Sequence, residues 1–517
     1  MAPDMFTLAK RVQLIEKAGD IETISDFNAS PLFTESVRYH ASLNETASQP
    51  FSAQYGLLGG NITDDAAKMK LNDLIYYNVA APSSTFICGS QGSGKSHTLS
   101  CLLENCLIKS VANELPRPLT GIVFHYDTFI SDAGGSPCEA AFLSTDPKMK
   151  VRVLCAPTNI TSIKKTYSNF PNIKVEELRI NEADLNTKRM MDLMAIKTDG
   201  DMPLYMHVVT RVLRDLRREQ QSADSGFSYR DFLTRIMSEE LTDSQKTPLM
   251  QRLDTLTSFM AKEKVTMAAD NFNLHISRST GNNWAPTPRQ LTIVDLSCPC
   301  VTAETACSLF NICLSLFLEQ NPDKVGRVVA LDEAHKYMNA SAEASALTEQ
   351  LLATIRLQRH LGVRVIISTQ EPTVSPKLLD LCSVTIVHRF TSPDWLHTLQ
   401  RHLAGVSITR RMKEKMGSNG LGNGNGNSNG NGNGNGNGVA SLGSRFQTLS
   451  LEDSDPTLAM FMQIVKLRVG EALLFSPSAV IAVDEKCSAI EKLNNGVLKI
   501  KIRKRVTEDG GKSIMAG

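Results

Sequence analysis

One glycine-rich segment constrains the fold of this chain more than any other feature. It matches the pattern G-x-x-x-x-G-K-[ST] with the residues Gly89, Ser90, Gln91, Gly92, Ser93, Gly94, Lys95 and Ser96. The apolar run 85–88 comes directly before it, and apolar residues at helical spacing follow it from Leu99 to Leu107. A strand, a glycine-rich turn and a helix in this order form the phosphate-binding loop.

The residue types of this segment fit a nucleotide and a metal ion. Glycines let backbone N–H groups turn toward a phosphate, and the helix N-terminus adds a partial positive charge. Lys95 is predicted to reach the β- and γ-phosphates, and the Ser96 hydroxyl to ligate Mg²⁺. The predicted ligands are therefore ATP and Mg²⁺, bound by the eight motif residues and His97. The alternative is a glycine-rich turn that only happens to precede a helix.

A second motif supplies carboxylates. The apolar run 327–331 ends at Asp332 and Glu333. Strand ends of an open α/β sheet gather at one edge, where ligands bind. We predict Asp332 as a Mg²⁺ ligand and Glu333 as the base that activates water. The alternative is an acidic pair on the surface.

The next predicted strand, 363–369, adds further candidates. It ends at Gln370, whose amide could sense the γ-phosphate or orient water; the alternative is an exposed loop residue. Arg356 and Arg359 precede the strand. Either is a candidate arginine finger for a neighbouring subunit, and the alternative is a solvated helix surface.

Short apolar runs that alternate with helical patterns predict an α/β fold with a mostly parallel sheet. The predicted strands are 85–88, 121–126, 151–154, 291–296, 327–331, 363–369, 465–476 and 497–505. The predicted organisation is an N-terminal region of unassigned role (1–80), a first core part (81–183), a helical insertion (184–286), a second core part (287–416), a disordered Asn/Gly-rich loop (417–443), and C-terminal strands with a basic tail (444–517).

Charge and composition limit the partners. With 55 basic against 54 acidic residues, the net charge of +1 creates no global field for nucleic acid. We find no signal peptide and no apolar run long enough to span a membrane, so we expect an intracellular protein, cytoplasmic or nuclear, without a membrane partner. Local basic patches remain candidate DNA contacts, although each also fits a solvated surface. They are Arg211, Arg214 and Arg218; Arg410, Arg411, Lys413 and Lys415; and Lys499, Lys501, Arg503, Lys504 and Arg505.

Together these motifs resemble the HerA/FtsK branch of P-loop motor ATPases, most closely the HerA type. The resemblance rests on the phosphate loop and on segments 291–297, 331–337, 356–363, 366–372, 386–389 and 470–474. It implies a RecA-like sheet, a hexameric homo-oligomer with ATP sites between subunits, and DNA moved through the ring. It also implies a trans-acting role for Arg359 first and Arg356 second.

Some features depart from the family. The region before residue 80 is short and unlike the β-barrel that precedes the motor in HerA proteins, and the Asn/Gly-rich tract is foreign to the pattern. Residues 332–335 also spell the box of DEAH helicases. The chain after that box is too short for their second RecA-like domain, so the sequence predicts no role for His335.

The function that the sequence favours is Mg²⁺-dependent ATP hydrolysis by an oligomeric ring, coupled to DNA translocation. The alternative is a nucleotide-dependent scaffold or switch that binds ATP and partner proteins without moving nucleic acid. A small-molecule kinase is disfavoured, because Glu333 with Gln370 suits activation of water.

Overall fold

The computed structural model describes most of the chain. The described residues are 28–43, 54–62, 70–129, 135–194, 204–261, 263–267, 274–278, 280–320, 325–402, 456–483 and 490–510. The Asn/Gly-rich tract and the basic residues 410–415 lie outside them.

Strands and helices alternate along most of the described chain. The strands are β1 (Leu32–Thr34), β2 (Tyr55–Asn61), β3 (Leu74–Asn78), β4 (Ser84–Cys88), β5 (Asn113–Glu114), β6 (Thr120–His125), β7 (Lys150–Cys155), β8 (Ile173–Glu177), β9 (Glu263–Met267), β10 (Leu274–Arg278), β11 (Gln290–Asp295), β12 (Arg327–Leu331), β13 (Val363–Thr369), β14 (Val384–Val387), β15 (Glu471–Phe475), β16 (Val480–Val483), β17 (Ile490–Lys492) and β18 (Leu498–Ile502). The α-helices are α1 (Glu35–Leu43), α2 (Lys95–Leu107), α3 (Ile160–Thr166), α4 (Thr187–Leu193), α5 (Leu204–Ala223), α6 (Tyr229–Ser238), α7 (Asp243–Phe259), α8 (Ala303–Glu319), α9 (Ala342–Arg356), α10 (Gln358–Leu361), α11 (Pro376–Leu381), α12 (Pro393–His402) and α13 (Pro456–Lys466).

The centre of the molecule is a parallel sheet in the order β14-β4-β13-β12-β6-β11-β7-β8. The strand before the phosphate loop, β4, lies between β14 and the Gln370 strand, β13. The acidic strand β12 follows on the other side of β13, with Leu331 opposite Ile367 and Ile367 opposite Phe86. This arrangement confirms the predicted α/β, RecA-like class with a mostly parallel sheet.

Helices cover both faces of this sheet. On β12, Val329 and Leu331 pack into one apolar cluster with α8 and α9, whereas Val328 and Ala330 pack into a second cluster with α2. A strand that is buried on both sides consists almost entirely of apolar residues, and this is why apolar runs in the sequence predict the parallel strands.

An antiparallel extension continues the sheet beyond β14. Its order is β15, β18, β2, β3, β1, β16 and β17, with β16 parallel to β1 and β5 paired to β2. Strand β18 from the C-terminal part pairs with β2 from the N-terminal part, Ile500 opposite Asn61. The described residues before 80 thus belong to the same sheet as the phosphate loop.

Two segments differ from their predicted form. The predicted helical insertion contains α4 to α7, but also the antiparallel hairpin of β9 and β10. The predicted strand 465–476 is a strand only at Glu471–Phe475; residues 465 and 466 end helix α13, and Gly470 turns the chain at φ +77°. Among the described residues, we find no helix with the length and apolar character needed to cross a bilayer.

Candidate nucleotide-binding site

The phosphate loop follows β4 and requires its glycines. Gly89, Gly92 and Gly94 have φ of +150°, +71° and +111°, a region that L side chains rarely adopt. A Cβ atom at Gly89 would also lie 2.7 Å from Cβ of His388. The loop therefore requires glycine for two reasons: the backbone angles at all three positions, and the lack of room for a side chain at Gly89.

Helix α2 begins at Lys95, and no side chain caps its N-terminus. The first N–H groups of a helix have no intrahelical partner, and the helix dipole makes this end attractive to anions. The Lys95 side chain is buried, and its Nζ donates to the Ser90 carbonyl at 3.1 Å. Burial lowers the pKa of Lys95, and the nearby charges of Glu333 and Asp332 oppose that shift. A phosphate at this point would meet backbone donors and a buried ammonium.

Asp332 lies directly after β12 and is almost fully buried. Its N–H donates to the Phe124 carbonyl, which fixes the backbone beside β6. Its Oδ2 accepts from His125 Nδ1 at 3.1 Å and from the Cys138 thiol at 3.6 Å. Burial raises the pKa of Asp332, but these hydrogen bonds together with the charges of His125 and Lys336 outweigh burial and hold the pKa below its usual value.

The second Asp332 oxygen, Oδ1, is buried and has no hydrogen-bond partner within the described part of the chain. A buried carboxylate oxygen without a partner is unfavourable unless a cation or donor reaches it. Carboxylate oxygens are ligands that Mg²⁺ prefers. The residues present therefore fit the predicted Mg²⁺ ion.

Glu333 has a left-handed backbone, with φ of +46°. Such a conformation costs of order 1 kcal/mol or more in a residue other than glycine and is often found at functional sites. Its Oε2 lies 3.5 Å from Nε2 of Gln370 and 3.3 Å from Nδ1 of His335. Burial raises the pKa of Glu333, while the charge of Lys95 acts to lower it.

His335, for which the sequence predicts no role, lies between these two residues. Its Nδ1 accepts from the Gln370 backbone N–H at 3.3 Å. Burial lowers its pKa to about 4, so the ring is neutral at neutral pH. Glu333 and Gln370 are in direct contact, and His335, for which the sequence predicts no role, accepts from the Gln370 backbone beside them.

Two residues directly after β14, His388 and Arg389, contact the phosphate loop, and the sequence assigns them no role in the site. The Ser90 N–H donates to the Arg389 carbonyl at 2.8 Å, and His388, just after β14, is fully buried beneath the loop. Nδ1 of His388 lies 3.0 Å from the Glu471 carbonyl and Nε2 lies 2.9 Å from the Thr98 hydroxyl. Burial lowers the pKa of His388 to about 4. A polar residue directly after an apolar strand was the available signal, as it was for Asp332 and Gln370.

Three other residues predicted to bind the nucleotide, Gln91, Ser96 and His97, differ in exposure and in their contacts. Gln91 is exposed, and Ser96 is half-buried on the first turn of α2. His97 is engaged elsewhere, because its Nε2 lies 2.8 Å from the Arg503 carbonyl and its Nδ1 lies 3.2 Å from Asp509. Its role in nucleotide binding stays a prediction.

Arg356 and Arg359 are exposed and lie before β13, whereas Gln370 lies after it. At about 3.3 Å per residue, this strand separates the two ends by roughly 20 Å. Neither arginine therefore joins the phosphate loop of its own chain.

Two of the predicted basic contacts are buried. Arg503 pairs with Glu104 at 2.7 Å, and the Arg505 side chain is 1% exposed beside the same carboxylate. Lys501 and Lys504 are exposed. In α5, Arg211 pairs with Glu239 on the surface. The C-terminal basic segment is thus partly a structural element and offers fewer free cations than its sequence suggests.

Comparison with known proteins gives structural neighbours only. No family model matches the chain, and no curated protein sequence matches it. The chain is similar to the structure of VirB4 of Thermoanaerobacter pseudethanolicus, at 11% identity and a TM-score of 0.43, over 87% of this chain and 97% of that one.

Two further neighbours are named as an NTPase and an ATPase. The genome packaging NTPase B204 from Sulfolobus turreted icosahedral virus 2, in complex with sulfate, is 9% identical at a TM-score of 0.26, over 79% of this chain and 95% of that one. The cytoplasmic domain of the Thermomonospora curvata Type VII secretion ATPase EccC is 12% identical at a TM-score of 0.23, over 68% of this chain and 25% of that one. At these identities and scores, none of the likenesses assigns an activity. The phosphate loop and the strand order of its own sheet give this chain the fold of a RecA-like P-loop NTPase, as its motifs predict.

Proposed function

We propose that this chain is a Mg²⁺-dependent ATPase of the HerA/FtsK type that works as an oligomeric ring and moves DNA. One observation carries the ATPase part: Lys95, Asp332, Glu333 and Gln370 follow adjacent parallel strands and meet at one edge of the sheet. Nucleotide binding alone needs no buried carboxylate beside an amide. Their combination suits the activation of water.

Each residue has a distinct role in this proposal. Lys95 and the free N–H groups of α2 hold the β- and γ-phosphates. The Ser96 hydroxyl and Asp332 Oδ1 would hold Mg²⁺, which, when bound, neutralises charge on these phosphates. Glu333 accepts a proton from the attacking water, and Gln370 orients that water. Burial raises the proton affinity of Glu333 and so makes it a better base than an exposed glutamate.

The ring and the DNA in this proposal rest on two exposed arginines and on local surface cations. Arg356 and Arg359 are exposed and too far from their own phosphate loop, as trans-acting fingers would be. The near-neutral net charge means that DNA would have to meet local cations. Exposed Arg214 and Arg218 on α5 and exposed Lys501 and Lys504 in the C-terminal segment are among the described candidates.

The test is ATP hydrolysis by the purified chain with and without duplex DNA, together with its mass in the presence of ATP. We expect a hexamer whose turnover duplex DNA stimulates. Lys95→Ala should abolish turnover, because the buried ammonium is lost from the phosphates. Lys109→Ala, an exposed lysine just beyond the C-terminal end of α2, is the matched control and should keep full turnover.

The outcomes separate the candidate functions. Hydrolysis that survives Lys95→Ala would exclude this site. Hydrolysis that depends on Lys95 but ignores DNA, in a monomer, would favour the nucleotide-dependent scaffold or switch.

A further inference from the structure

The buried pair of His125 and Asp332 lies at the ends of two neighbouring strands. His125 is the last residue of β6, and Asp332 directly follows β12. Leu331 is opposite Phe124 in the register, and the Asp332 N–H donates to the Phe124 carbonyl at 3.0 Å. The backbone positions of both residues are therefore set by the parallel sheet, which is more rigid than a loop.

The two side chains make a directed contact. Nδ1 of His125 lies 3.1 Å from Asp332 Oδ2, and the side chains are only 6% and 4% exposed. An ionised carboxylate can only accept a hydrogen bond, so Nδ1 carries the proton in this contact. The thiol of Cys138 lies 3.6 Å from the same oxygen and is a second, weaker donor. Both donors therefore reach Oδ2 and neither reaches Oδ1, which has no partner among the described residues.

We propose that His125 is a positioning residue for the metal ion: by donating to Oδ2, it fixes the Asp332 carboxylate so that Oδ1 alone is presented to Mg²⁺. This inference rests on the proposed function, because it takes Asp332 as a Mg²⁺ ligand. Donors behind a ligating carboxylate orient it, and their loss typically weakens metal binding about 10- to 100-fold. Without His125, only the weaker Cys138 thiol would donate to Oδ2, and the carboxylate would be held less firmly in this orientation.

The test compares two amides that differ only in reach. The Asn side-chain amide falls near the position of His Nδ1, and the Gln amide near that of Nε2. We expect His125→Asn to retain most of the metal affinity, because it keeps a donor toward Oδ2. His125→Gln and His125→Leu should each weaken it about 10- to 100-fold.

The measurement is Mn²⁺ binding by electron paramagnetic resonance in the presence of a non-hydrolysable ATP analogue. Affinity for the same analogue in EDTA is measured in parallel and should change less than about twofold in all three variants, because Lys95 and the loop are untouched. Cys138→Ala should have a smaller effect than His125→Leu, since the thiol is the weaker and more distant donor.

Three results would overturn the inference: wild-type Mn²⁺ affinity in His125→Leu, equal affinities in the Asn and Gln variants, or equal losses of metal and nucleotide binding. If His125→Leu fails to fold, the comparison of Asn with Gln still decides. Failure of the proposed function looks different. In that case the wild-type chain would bind Mn²⁺ and nucleotide no better than Lys95→Ala does.

Discussion

At the scale of single residues, Glu333 combines two unfavourable features. Its backbone is left-handed, and its carboxylate is largely buried beside Asp332, whose charge further raises its pKa. Gln370 and His335 contact the same oxygen, Oε2. A residue strained in this way persists only when the surrounding structure holds it, which is typical of a catalytic position.

Replacing the Glu333 carboxylate tests its proposed role as the base. Glu333→Gln keeps the size of the side chain and removes the base, so we expect turnover to fall about 100- to 10,000-fold while ATP binding remains. The measurement is single-turnover hydrolysis beside equilibrium nucleotide binding. Glu349→Gln, at an exposed glutamate on α9, is the control and should behave as wild type. Unchanged turnover in Glu333→Gln would remove Glu333 from the mechanism.

His388 predicts a dependence of stability on pH. Its pKa is about 4 in the folded chain, below the ordinary value of 6.5, so the unfolded chain binds a proton more readily between these values. The stability due to neutral His388 is fully present above pH 6.5 and is lost as the pH falls toward 4, by up to about 3 kcal/mol.

The check is urea unfolding from pH 7 to pH 4.5 for the wild type, His388→Asn and the exposed control His397→Asn. The difference between wild type and His388→Asn should shrink as the pH falls. His397→Asn should follow the wild type at every pH. A constant difference between wild type and His388→Asn would show that the imidazole does not resist protonation.

At the scale of elements, the C-terminal segment 503–510 is bound to the helix of the phosphate loop. Glu104 on α2 is completely buried and accepts from the Arg503 guanidinium and from the N–H groups of Val506 and Thr507. His97, in the first turn of the same helix, contacts the Arg503 carbonyl. The position of α2 thus depends on residues about 400 positions away in the chain.

We expect Glu104→Gln to destabilise the chain by about 3 to 5 kcal/mol, because it leaves a buried guanidinium without its charge partner. Thermal and urea unfolding measure the loss. Glu114→Gln, at an exposed glutamate in β5, should change the unfolding free energy by less than about 0.5 kcal/mol. Equal stability of the two variants would mean that the buried pair contributes little.

At the scale of the whole molecule, the sheet separates the two ends of β13. Gln370 lies at the edge that holds the phosphate loop, and Arg356 and Arg359 precede the strand. One chain cannot bring both ends to one nucleotide. A complete site that includes a finger therefore requires a second copy of the chain.

Mixing variants tests this requirement. Arg359→Ala and Lys95→Ala should each be inactive, with a loss of about 1,000-fold or more for a missing finger. Co-assembled in equal amounts, they should regain roughly a quarter of the wild-type sites, because an intact site then meets an intact finger on its neighbour. Exposed Arg401→Ala is the control and should stay active alone. Mixtures as inactive as their components, or full activity of Arg359→Ala, would exclude this trans-acting role.

Sequence patterns alone predict the parallel centre of the fold and mark the candidate site residues. Strands β4, β12 and β13 are buried on both faces and so read as apolar runs, and local motifs mark Lys95, Asp332 and Gln370 at their ends. These features depend on neighbouring residues in the chain, which is why a pattern can reveal them.

Other features of the fold and the site depend on contacts that form only in the folded chain. The pairing of β2 with β18, the burial of Arg503 against Glu104, and the contacts of His125 and His388 join residues far apart in sequence. A histidine or arginine in such a contact has the same local pattern as one on the surface. Its burial and its partner, and hence its chemistry, are set only when the sheet brings distant segments together.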